Sequence, residues 1–190
     1  MFYQYISQFN WVDILVIILT IRMCYIGLKR GLGIEVFKFI SLCFCSFVAF
    51  HFFYSLGEFI NSKIPILPLE STLIFTYLVL IFIITIIFTI IRDGFLMVIR
   101  TEGDSPTSKY LGITLGFIRG LLISGFVIFA LLISNIRYFE LSCRSSFLGP
   151  KIVNMTTKTY EFAFYGIVSK IFPDQNFNQE VTKATQEKAL

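Results

Sequence analysis

Charge is scarce in this sequence: only 15% of its 190 residues are Asp, Glu, Lys or Arg, against roughly 25% in ordinary globular domains. A chain of this length needs more polar residues than that to cover its surface in water, which excludes a soluble globular fold. Histidine occurs once, as His51, and there is no GxSxG, HExxH, GxGD or CxxC pattern and no phosphate loop. Hydrolytic, metal and cofactor chemistry therefore have no paired groups to build on, and neither an enzyme activity nor a cofactor is expected. The 16 Lys and Arg form no block interleaved with aromatics, which argues against a nucleic-acid partner. Of the four cysteines, Cys24, Cys43 and Cys45 lie in apolar runs and Cys143 stands apart. Cys43 and Cys45 fall about 200° apart on a helix, so no disulfide framework or metal site follows.

What the chain does contain is apolar: 56% hydrophobic residues, 23 of them Phe, with a mean hydropathy of +0.78. Four stretches approach the roughly 20 apolar residues that cross about 30 Å of hydrocarbon. They run from Trp11 to Leu28, Ile34 to Leu56, Leu69 to Ile91 and Leu111 to Ile136. The first is expected to stay as an anchor: no basic residue precedes it, no small-x-small site closes it, and Lys29 and Arg30 follow it. Basic residues also mark the third loop, with Arg92, Arg100 and Lys109. The first and third loops are thus expected in the cytoplasm, and the second loop and both chain ends outside.

After Arg137 the hydropathy falls. Pro150 suits a first helical turn, and Val153, Thr156, Tyr160, Phe164, Ile167, Val168 and Ile171 recur at spacings of mostly three and four. This predicts an amphipathic helix over about 145–172, lying on the membrane surface or packed on other helices. Residues 173–190 are polar and aperiodic and read as a flexible tail. The expected fold class is all-α integral membrane, a single domain over 1–172 of about four transmembrane helices plus the C-terminal amphipathic helix.

Within the fourth stretch Gly112, Gly116, Gly120 and Ser124 recur every four residues, leaving one helix ridge nearly bare. Such a ridge lets another backbone approach closely, within the chain or in a second copy. Ionisable residues in apolar stretches cost a few kcal/mol on insertion scales, so Asp13, Arg22, Lys38 and Arg119 need partners or a route to the interface. Asp13 suits an early helix turn. The other three lie near the cytoplasmic side, where long stems can snorkel. At 1.5 Å per residue Asp13 and Arg119 differ in depth by roughly 15 Å, so no direct bridge between them is expected. Arg119 is alternatively the edge of the last span, with Tyr110 to Ile118 an interfacial or re-entrant piece. His51, among aromatics near the outer end of the second stretch, reads as an interface residue.

Two segments carry a resemblance. The first stretch opens Trp11-Val12-Asp13-Ile14-Leu15 and leads to Gly27-Leu28-Lys29-Arg30-Gly31-Leu32-Gly33. The fourth begins Leu111-Gly112-Ile113-Thr114-Leu115-Gly116-Phe117-Ile118-Arg119-Gly120, and Ser146-Phe147-Leu148-Gly149-Pro150 precedes the last helix. In order and spacing, from Trp11 to Tyr165, this resembles the colicin V production protein family, CvpA. The resemblance implies a non-enzymatic protein of the bacterial inner membrane that supports biosynthesis or export of a colicin V-type toxin and envelope homeostasis. Its partners would be the lipid bilayer, copies of itself, and other inner-membrane or export proteins. Gly27-x-x-Arg30-Gly31-Leu32 and Gly116-x-x-Arg119-Gly120-Leu121 form a short echo, adding Gly27 and Gly31 as packing candidates and Arg30 as an edge charge. The alternative is a small oligomeric channel or transporter, resting on Asp13, Arg22 and Arg119 inside membrane segments.

Overall fold

The computed structural model describes residues 9–65, 67–98, 106–171 and 176–186. The first element, α1, runs from Trp11 to Lys63. Asn10 starts it as a capping box: its side chain accepts from the Val12 amide at 2.8 Å, and Asp13 accepts from the Asn10 amide at 2.9 Å. Straight, its 53 residues would extend about 80 Å. It is not straight. Thr20 lies against Gly120 and Phe50 against Phe126; those partners are only about 9 Å apart along their own helix, whereas Thr20 and Phe50 would be about 45 Å apart on a straight one. The helix therefore doubles back into two spans, Trp11–Arg30 and Leu32–Lys63. Gly31 and Gly33, poor helix formers, flank the bend. The Leu32 amide donates to Ser108 Oγ at 2.9 Å.

The third span lies in α2, Leu69–Val98, and the fourth is α3, Pro106–Ile133. α3 is continuous through Tyr110 to Ile118, so the structure has no re-entrant break before Arg119. It runs antiparallel to the first arm of α1, with Gly112 on Gly27 and Gly116 on Met23, and parallel to the second. α2 runs antiparallel to that second arm through Phe37 on Phe95, Phe44 on Phe88 and Phe50 on Tyr77. Between α2 and α3 there is little contact. One end of the bundle, the turn end, holds the bend of α1. The opposite end is capped by the remaining helices.

At Asn135 the backbone takes a φ of 52°, a left-handed value that Asn tolerates, and α3 breaks from α4, Arg137–Ser145. α5, Gly149–Ala163, follows with Pro150 in its first turn and continues through a π-helical turn, Phe164–Val168, to Ser169–Ile171. The helix expected over about 145–172 is thus found as one continuous run over 149–171, and a corner sets it off from α4: Ser146 Oγ donates to the Cys143 carbonyl and accepts from the Gly149 amide. α5 packs inward, burying Ile152, Val153, Thr156 and Tyr160 against the bundle. The tail expected to be flexible is corrected over its described part, which forms α6, Gln179–Gln186, with Val181 fully buried. Asn178 anchors it. The Asn178 amide group donates to the Phe50 and His51 carbonyls at 2.8 and 3.3 Å, and its oxygen accepts from Glu180. One polar side chain at a helix start fixes a segment whose composition reads as loose.

The capped end is packed with aromatic rings. Phe50 touches Tyr77, Phe126, Phe129 and Tyr160, with ring centroids 4.7–5.9 Å apart. Edge-on and tilted contacts of this kind add to the area they bury.

Candidate functional site

Below that aromatic plug, between the second arm of α1, α2 and α3, lies a chamber of about 590 Å³. Its wall is apolar along most of its length, with Leu42, Leu78, Ile81, Phe88, Ile123, Phe126, Val127 and Ala130. Four cations line it: Arg30, Lys38, Arg92 and Arg119. The polar remainder is hydroxyls from Ser41, Thr85 and Thr89, and those of Thr85 and Thr89 donate to carbonyls one turn back at 2.7 Å.

Two of these cations, Lys38 and Arg119, are held by Glu35, whose side chain is fully buried. Lys38 Nζ reaches Glu35 Oε1 at 2.7 Å, one helical turn on, and Arg119 Nη1 pairs with Glu35 Oε2 across the bundle. Arg119 is itself 4% exposed and also donates from Nη2 to Met23 Sδ at 3.3 Å, while its buried Nε has no partner among the described residues. Charges withdrawn from water this far persist only when paired, and removing one member costs far more than the pair contributes. Arg92 forks onto the neighbouring Asp93 at 2.7 and 2.9 Å, and that carboxylate is half exposed. Four cations set against two carboxylates, the buried Glu35 and the half-exposed Asp93, leave the chamber lining net positive.

The ridge residues do not line the chamber. A Cβ on Gly27 would stand 2.1 Å from the Gly112 carbonyl oxygen, one on Gly116 2.5 Å from the Met23 carbonyl oxygen, and one on Gly120 2.8 Å from Thr20 Cα. Ser124 is buried and donates to the Gly120 carbonyl at 2.8 Å. These positions form the seam between α3 and the first arm of α1, within one chain. The packing around Gly31 lies outside the described residues. Gly125, one step off the ridge, does similar work against Thr156 of α5.

The five charges singled out from the sequence separate, Lys38 falling in the chamber lining as described above. Arg119 and Arg30 reach the chamber. Arg22 is exposed on the outer face of the first arm. Asp13, fully buried, sits at the capped end, accepting from the Phe147 and Leu148 amides at 3.3 and 2.7 Å as well as from Asn10. It joins the start of α1 to the corner before α5, and has no place in the chamber. Glu35 was missed; its signal was an acid one turn before Lys38 at the head of an apolar run. His51 is buried, with Nδ1 3.1 Å from the Tyr160 hydroxyl and Phe47 and Phe164 stacked on it, so it is a core residue and not an interface one. Burial pushes Tyr160 up to about 12 and Cys143 up to about 11. Both stay protonated near neutrality, which leaves Cys143 a poor nucleophile.

Four helices long and apolar enough to span a bilayer, with a cation-lined chamber between them, define a multi-pass α-helical membrane protein. A family model, Colicin V production protein, matches residues 12–157, from the first span into α5, and the chain belongs to this family. No curated protein and no solved structure matches it.

Proposed function

We propose that the protein is a non-enzymatic accessory of the bacterial inner membrane that supports production or export of a colicin V-type toxin and envelope homeostasis through binding, not bond-making. The observation that carries this is the chamber. It offers charge and apolar surface, and Thr85 and Thr89, two of its hydroxyls, are committed to backbone carbonyls. That is the equipment of a binding space between helices. Lys29, Arg30, Arg92 and Lys109 gather at the turn end, which supports a cytoplasmic turn end and a periplasmic cap and C-terminus. The cap presents Lys151, Met155, Lys158 and Phe162 outward, a mixed surface for envelope or export partners.

The test uses a toxin-producing bacterium from which the protein has been removed. Secreted toxin is expected to fall, to return with the wild-type chain, and to stay low with an Arg119→Met variant that reaches the membrane at normal level. Unchanged secretion and unchanged detergent tolerance after removal would overturn the reading. The buried Glu35–Arg119 pair beside the chamber favours a second reading, a small channel or transporter, since intramembrane charge pairs often mark a solute path. Flux of a defined solute through liposomes containing only this protein would establish that reading in place of the first.

A further inference from the structure

We propose that the chamber seats one anionic phospholipid drawn from the surrounding bilayer, its phosphate among Arg30, Lys38, Arg92 and Arg119 and one acyl chain along the apolar wall. The inference does not depend on any role in toxin production.

The arrangement of the lining is the first argument. On each of three walls a cation stands toward the turn end and apolar residues follow toward the cap: Lys38 then Leu42, Arg92 then Phe88 back to Leu78, Arg119 then Ile123 to Leu131. At 1.5 Å per residue, the runs from Arg92 to Leu78 and from Arg119 to Leu131 are about 20 Å long. The chamber is therefore an elongated space, charged at one end and greasy along the rest. A free phosphate would leave the greasy length unused, and a hydrocarbon would leave the cations unused. A molecule with one anionic head and one long apolar chain uses both.

The second argument is a missing acceptor. Arg119 is 4% exposed and lines the chamber, yet its Nε–H has no partner among the described residues. A buried donor in that state costs free energy that a phosphate oxygen would return. Depth and access agree with a lipid source. Arg30 and Arg92 stand at or near the ends of their spans, the level at which headgroups lie, and basic pockets between helices on this side are a recurrent way to hold acidic lipids. Because α2 and α3 scarcely touch, the chamber borders the lipid-facing cleft between them. An acyl chain can slide in sideways without leaving the membrane.

The experiment is native mass spectrometry of the purified full chain after exchange through nanodiscs of phosphatidylglycerol and phosphatidylcholine in equal amounts. One phosphatidylglycerol is expected to survive activation that strips the other lipids. Arg30→Gln with Arg92→Gln, which leaves the buried Glu35 cluster intact, is expected to weaken that retention about tenfold or more. Val127→Trp, which fills the apolar wall and touches no charge, is expected to abolish it. Size-exclusion profiles and thermal midpoints near wild type identify variants that are folded. If a Val127→Trp sample aggregates, Val127→Phe provides the same reading. Equal retention of both lipids, or retention unchanged in folded variants, would overturn the proposal. Displacement of the lipid by millimolar inorganic phosphate would identify a free-anion site and overturn it as well. A loss of toxin secretion without any retained lipid would leave the proposed role standing and remove this inference.

Discussion

The two sides of α3 are built differently. Toward the first arm of α1 it presents Gly112, Gly116, Gly120 and Ser124, and the two backbones touch. Toward α2 it presents Arg119, Ile123, Phe126 and Val127 to a chamber, and α2 stands off. Half of the α3 span is buried within the chain against 11% of the α2 span. In a bilayer apolar burial does not by itself drive helices together, so close contact is specified by small residues and separation by their absence. One side of the helix is a seam that holds the bundle. The other is a wall that faces the chamber with little helix contact.

Variants that break the seam are expected to have the largest effect. Gly116→Leu drives a side chain into the Met23 backbone and should remove most folded protein, an effect of about 3 kcal/mol or more. Fluorescence-detected size exclusion of a tagged chain checks it. Next is Glu35→Gln, which leaves Arg119 buried without a counter-charge and should lower stability by about 3 kcal/mol. Glu35→Leu combined with Arg119→Leu should recover part of that loss in the same thermal-shift assay, as expected if the pair serves the chamber more than the fold. Asp13→Ala, remote from both sides, removes three accepted hydrogen bonds at the capped end and should cost about 2 kcal/mol, read as faster proteolysis at the α4–α5 corner. Smallest is Ile86→Leu on the exposed face of α2, expected within about 0.5 kcal/mol of wild type. A large loss there would mean that α2 is packed against something other than lipid.

Much of this comparison can be read from the chain alone, and what cannot has identifiable causes. Four apolar runs of spanning length require spans, because no other state satisfies both their backbones and their side chains. The four-residue spacing of small residues marks α3 as a helix that another backbone can approach. It does not say which helix, since Gly27 shares the seam through a bend that hydropathy does not encode. The chamber was hidden for a related reason. Arg119 and Lys38 each invite a local explanation, snorkelling, and only the folded chain brings both onto Glu35. Asp13 is the early-turn acid its position suggests, accepting from the Asn10 amide, but its other partners are the Phe147 and Leu148 amides, which have no sequence signature. The same blindness applied to α6, where Asn178 docks on carbonyls of a helix more than a hundred residues earlier. Asn135, alone among the described non-glycine residues at positive φ, marks the end of α3 two residues before Arg137, where the hydropathy falls.

The central claim, a chamber open on one side of a sealed bundle, is tested most directly by two near-isosteric variants of the second arm, Ser41→Cys and Ser46→Cys, in a cysteine-free background. Ser41 lines the chamber one turn from Lys38, whereas Ser46 is 1% exposed inside the packed core. With small thiol reagents applied to membranes, the account predicts that the Ser41→Cys protein reacts, faster with an anionic reagent than with a cationic one, while the Ser46→Cys protein stays silent. Equal rates at the two positions, or a cationic preference at Ser41, would contradict it.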